Sequence, residues 1–173
     1  MRVTLCLLVV VFGLARTQVI RDVQEGSGGL DQEVNCDFQN GVCDWLHVVG
    51  SKQRLSIKEN TDGGKYLAFS APEDSPVDRE VYTRVTLGKL AADQSYCLTI
   101  SYSLTGSNTK HIILEQQPSE KLEDLQGEDN DWEKVQLSLS GQDKLVRLKL
   151  MFSPGSFGDI NIADVTLSPN ACE

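Results

Sequence analysis

The chain has 173 residues, 16 of them basic and 25 acidic, for a formal charge of −9, and that length is one domain's worth once a leader is set aside. A surface this acidic repels phosphate backbones and anionic lipid, which argues against nucleic acid as a partner. Aromatic residues make up only 6% of the chain, too few for a domain that spends many of them on both a core and a binding surface.

The chain opens with Met1 and Arg2, followed by the apolar run VTLCLLVVVFGL and the small residues Gly13 and Ala15. A basic start, an apolar stretch short of a membrane span and small residues at the cleavage positions predict a signal peptide over residues 1–15. Its removal takes Cys6 and Arg2 with it, leaving 15 basic against 25 acidic residues, or −10. No other stretch is apolar enough to span a bilayer and the LSPNACE terminus offers no lipid-anchor tail, so a secreted, extracellular product without membrane insertion is expected.

Residues 16–34 are polar and contain GSGGL, which reads as a flexible N-terminal extension. The folded domain is expected over 35–173, beginning at NCDFQNGVCDWL. Four cysteines then remain, Cys36, Cys43, Cys97 and Cys172, and an even count in an oxidising compartment predicts two disulfides with three connectivities open. Separation along the chain favours a local bridge between Cys36 and Cys43 across the Asn40-Gly41 turn. The remaining pair, Cys97 and Cys172, would close a 76-residue loop, which the chain-entropy model values at about 4.5 kcal/mol.

Beyond Cys43 the sequence breaks into short β-rich phrases separated by turn residues: YLAFS from Tyr66, REVYTRVTL from Arg79, YCLTISYSL over 96–104, TKHIILEQ from Thr109, WEKVQLSLS from Trp132, KLVRLKLMF from Lys144 and DINIADVTL from Asp159. In the third, Tyr96, Leu98, Ile100, Tyr102 and Leu104 share one face, the period of a half-buried strand. PSEKLEDLQ, residues 118–126, is the one stretch expected to carry a helical turn or two. The acidic segment from Glu120 to Glu133 reads as a solvated loop, and Trp132 at its end as a core residue. Many strands without intervening helices predict an all-β antiparallel sandwich.

Catalytic constellations do not emerge. The six-residue gap between Cys36 and Cys43 and the lone His47 and His111 fit no standard zinc spacing, and C-x-x-C, H-E-x-x-H, G-x-S-x-G and phosphate-cradling glycine loops are all missing. His111 reads as an ordinary strand residue. No N-x-[ST] acceptor occurs, and the acids of 120–133 do not follow the order of an EF-hand.

CDFQNGVCDW over Cys36–Trp45, YCLTISYSL, WEKVQLSL and FGDINIADVTLSPNAC over Phe157–Cys172 together resemble the MAM domain, an extracellular module. The resemblance implies a jelly-roll β-sandwich with cysteines paired first to second and third to fourth, and Phe38, Trp45 and Trp132 among its core signature. It implies a non-catalytic module that mediates protein–protein binding, adhesion or self-association, its partner an extracellular or cell-surface protein, a second copy of the chain included. Some members bind a cation beside the opening and closing strands; Asp37, Asp62, Asp159 and Asp164 are the ligands available here for calcium. Gln39 and Ala163 stand where the pattern usually has acids, which removes two carboxylate charges from that site. The alternative function is a carbohydrate-binding jelly roll, which needs exposed aromatics that the core reading of Trp45, Tyr96 and Tyr102 withholds.

Overall fold

The computed structural model describes residues 34–44, 46–50, 54–116, 120–141 and 144–173. Eleven strands are formed among these described residues: β1 (Val34–Cys36), β2 (His47–Gly50), β3 (Leu55–Glu59), β4 (Lys65–Ala71), β5 (Val81–Leu90), β6 (Ser95–Thr105), β7 (Lys110–Gln116), β8 (Glu120–Gly127), β9 (Asn130–Ser140), β10 (Lys144–Phe152) and β11 (Gly158–Pro169). They make two antiparallel sheets packed face to face, a jelly-roll-like sandwich with no α-helix among the described residues. The first sheet runs β3-β4-β11-β6-β9 with β1 beside the far half of β11, and the second runs β2-β5-β10-β7-β8.

Period-2 alternation decides which side chains fill the space between the sheets. Leu67 and Phe69 of β4, Leu98, Ile100, Tyr102 and Leu104 of β6, and Ile160 and Ile162 of β11 meet Val146, Leu148, Leu150 and Phe152 of β10, with Ile112 and Leu114 of β7. Phe69 and Phe152 touch across the two layers with ring centroids 5.1 Å apart. Each such side chain contributes roughly 1.5–3 kcal/mol on burial. Tyr96, Phe38 and Phe69 are fully enclosed.

Both disulfides form as the separations suggest, Cys36 with Cys43 and Cys97 with Cys172. The first closes the loop in which Phe38 turns inward at φ 58° while its carbonyl accepts the Gly41 N–H at 3.0 Å. The second holds the terminal segment to β6, where the Asn170 N–H donates to Ser95 O at 2.7 Å. Val34, expected to close the extension, belongs to β1 and pairs with Leu167, so the fold starts upstream of residue 35.

Residues 120–127 overturn the helical expectation. β8 pairs with β7 from Lys110↔Gly127 to Gln116↔Glu120, and Leu125, set opposite Ile112, packs against the core. Pairing with the edge of a formed sheet outweighs a propensity of a few tenths of a kcal/mol per residue. Glu120, Lys121 and Glu123 are exposed on this edge strand, charges of the kind that discourage a second sheet from adding to it. The acidic segment is therefore a strand, a turn and the start of β9 rather than one loop. Lys110 holds that turn in place: its buried ammonium donates to Glu128 O at 2.8 Å, Asn108 O at 3.1 Å and Ser107 O at 3.2 Å. Burial pulls its pKa down despite the attraction of Asp129, Glu128 and Asp159.

Candidate functional site

Trp132 is not a core residue. Val135, Leu137 and Leu139 of β9 face the sandwich interior, so residues of even number point the other way. Trp132 is 42% exposed on the outer face of the first sheet. Its ring meets Tyr66 edge-to-face, centroids 5.4 Å apart and planes at 75°. β4 and β9 are three strand positions apart in the sheet, about 14 Å at ordinary strand spacing, so the two side chains lie across the sheet to touch. The residues on the outer side of the intervening strands are small, Asn161 and Ala163 on β11 and Ser101 and Ser103 on β6, and leave room for that crossing.

A second crossing lies beside the first. Lys58 of β3 reaches Asp159 of β11, Nζ to Oδ2 at 2.8 Å, with both side chains partly exposed. Ala68, Asn161 and Ser103 point away from the core between these two crossings, yet all three are buried. Asn161 Nδ2 donates to Ser103 Oγ at 3.0 Å, whereas Asn161 Oδ1 has no hydrogen-bond partner. The neighbouring outward residue of β4, Ser70, has an enclosed hydroxyl that also lacks one. An unpaired buried polar atom costs about 1–3 kcal/mol. Ser70 lies on the wall of a cavity of about 420 Å³ that Arg54, Leu55, Ser56, Pro72 and Ser75 complete. The Arg54 guanidinium donates to Ser70 O at 3.5 Å.

Gly158 fixes the end of this face. Its φ is 106°, and a Cβ there would come within 2 Å of Thr105 O. Only glycine lets β11 start so close to β6, which sets Asp159 opposite Ser70 and Thr105.

The four acids considered for calcium do not gather. Asp37 Oδ1 accepts the Gln39 N–H at 3.0 Å, Asp62 Oδ1 accepts the Gly64 N–H at 3.0 Å, and Asp159 is paired with Lys58. Asp164 is exposed at φ 48°, where the pairing of β11 shifts register. Among the described residues no three His, Cys, Asp or Glu side chains group as a metal site. This donor set does not fit a calcium ion, which takes six to eight oxygens. Trp45 lies outside the described residues, and Phe38 is wholly buried. His111 is a strand residue whose Nδ1 lies 3.0 Å from Asp124 Oδ1. No helix among the described residues is long and apolar enough to cross a membrane.

The family model of the MAM domain, meprin/A5/mu, matches residues 31–173. The chain belongs to the MAM family. Nephronectin from Mus musculus and from Homo sapiens are each 27% identical over 143 residues, which is 80% of this chain and 25% of theirs. This MAM chain thus spans a quarter of the relatives it matches. Among solved structures, the K3 adhesin domain of Lys-gingipain from Porphyromonas gingivalis W83 superposes with a TM-score of 0.62 at 13% identity, covering 78% of this chain and 98% of that one. The CBM22-2 xylan-binding domain of Paenibacillus barcinonensis Xyn10C gives 0.55 at 10% identity, covering 79% and 99%. At such identities these likenesses describe the sandwich alone. MAM membership and two disulfides make this a secreted, extracellular protein.

Proposed function

We propose that the chain is a non-catalytic extracellular binding module that takes carbohydrate on the outer face of its first sheet. Trp132 carries the reading: a large aromatic 42% exposed beside Tyr66, next to polar groups with bonding capacity to spare. A sugar ring has an apolar face that lies against an aromatic and hydroxyls that both donate and accept. The Lys58–Asp159 pair, Asn161 Oδ1 and the Ser70 hydroxyl supply both kinds of partner on the same face. The sequence ranks carbohydrate second because aromatics are few and Trp45, Tyr96 and Tyr102 read as core; the exposure of Trp132 supports moving it first. A domain of this sandwich fold being xylan-binding by name is compatible with this, while the face itself bears the weight.

Titrating the secreted chain with arrayed glycans, then repeating with Trp132→Ala, tests the reading. The expected result is saccharide binding that falls at least tenfold in the variant while the thermal midpoint stays close to the parent's. Binding to proteins only, unaffected by Trp132→Ala, would return the function to protein–protein adhesion.

A further inference from the structure

We infer that the ligand of this face is an uncharged oligosaccharide at least three units long, running from the Arg54 cavity to the Trp132 ring. The inference rests on the carbohydrate reading of the same face and adds length and charge to it.

Length follows from the layout. Ser70, on the cavity wall, and Tyr66, at the aromatic pair, are four residues apart on β4, about 13 Å at the rise of a strand. Between them lies the Lys58–Asp159 pair, so polar and apolar elements follow one another along the strand. A pyranose in an extended chain advances by roughly 5 Å, between three and four single bonds. Two units leave one end of this track empty; three reach both ends.

Charge follows from pairing. Lys58 is neutralised by Asp159, Lys65 Nζ donates to Gln39 O at 3.0 Å, and Lys134, opposite Ser101 at the Trp132 end, follows the exposed acids Asp131 and Glu133. Arg54 is the cation on the cavity wall, and exposed Glu73 and Asp74 stand in the turn between Pro72 and Ser75, two other lining residues. A sulfate or carboxylate brought to Arg54 would therefore enter a cavity whose bounding turn carries two acids of its own sign, and like charges repel. Hydroxyls meet no such penalty. The three serines of the cavity, Ser56, Ser70 and Ser75, suit them as donors and acceptors.

The test is binding of the secreted full-length chain to neutral oligosaccharide ladders of one to six units, including xylo-, cello-, malto- and chito-oligosaccharides. Hyaluronan oligosaccharides and heparin, measured at low and physiological salt, complete the set. The expected result is affinity that climbs to the third unit of one neutral ladder and then levels, with heparin and hyaluronan weaker than that ladder at both salt concentrations. Arg54→Gln should lower affinity for three units and above about tenfold while leaving the disaccharide unchanged, and Trp132→Ala should weaken every length. Saturation by a mono- or disaccharide would overturn the length while leaving the carbohydrate reading in place. Binding confined to hyaluronan or heparin would overturn the neutral charge and again spare that reading. No saccharide bound by the folded chain would overturn both.

Discussion

The outer faces of the two sheets each carry an exposed aromatic, and they treat it in opposite ways. On the second sheet Tyr82 is 39% exposed, but Arg84 and Lys149 sit over its ring at 4.6 and 4.7 Å from the centroid. The π-face that a ligand would use is already occupied by cations. Arg84 belongs to a network around the buried Glu115, whose Oε1 accepts from Arg84 Nε at 2.5 Å. Arg147 Nε stands 3.0 Å from the same oxygen, off the line of a hydrogen bond, and Lys149 Nζ donates to Glu80 at 3.1 Å. On the first sheet Trp132 meets another ring edge-to-face, and the polar groups beside it keep unused capacity. The second face pairs its charges and covers its aromatic ring, with Arg147 Nε alone of its enclosed atoms off the line of a bond among the described residues. The first leaves both an aromatic ring and two enclosed oxygens, Asn161 Oδ1 and Ser70 Oγ, without partners of that kind.

That contrast is most easily broken by removing its charged centres. Glu115→Ala leaves Arg84 and Arg147 without their shared carboxylate, and urea unfolding should show a loss of about 3 kcal/mol. Lys58→Ala on the other face should cost under about 1 kcal/mol, because that pair is solvated; equal losses would mean the faces do not differ in this way. Next in size, Tyr82→Ala should leave glycan affinity unchanged, where Trp132→Ala lowers it tenfold, as read by calorimetric titration.

A smaller effect sharpens the description of the first sheet. Tyr102 donates to Glu133 Oε2 at 2.7 Å, and burial, then this bond and the carboxylate's charge, push its pKa from 10 up to about 12. Its neutral form stabilises the fold fully below pH 10, and this contribution is lost as pH rises towards 12. Glu133 is held below the ordinary carboxylate range by the bonds from Tyr102 and Asn130, so its share is lost only as acid protonates it. The gap in thermal midpoint between the parent and Tyr102→Phe should therefore narrow above pH 10 and again in strong acid. Smallest of all, calcium and chelator should give the same thermal midpoint, because three of the four candidate acids hold other partners and the four do not gather.

Much of this was legible in the sequence. The seven β-rich phrases are all strands, and the cysteine pairing follows their separations. β8 was not legible because its lysine, leucine and glutamates carry helical propensity, and its strand state comes from the waiting edge of β7. Short β1 and β2 lack the alternation that marks longer strands, and β3 shows it only over Leu55–Lys58. Trp132 is the instructive failure, since the signal was present: Val135, Leu137 and Leu139 fix the parity of β9, and an even-numbered tryptophan on that strand must point outward. Tyr66, the other half of the aromatic pair, sits in YLAFS among apolar neighbours and is separable from them only by the same count. Asn161 could be placed on the outer face by parity, but its unpartnered oxygen needed the register of β11 with β6.

Strand β11 has β6 along one side and, on the other, β4 followed by β1, whose partner residues lie roughly 130 positions away in the chain. During synthesis every other strand of the first sheet emerges before the one that joins β4 to β6. That sheet can close only after β11 has been made. A nascent chain must therefore hold several half-covered strands in the secretory compartment until β11 joins them, where they are exposed to mispairing. The late pairing of Cys97 with Cys172 then locks the finished sheet, so oxidation of this bridge would serve as a marker that the last strand of this domain has been made and has folded.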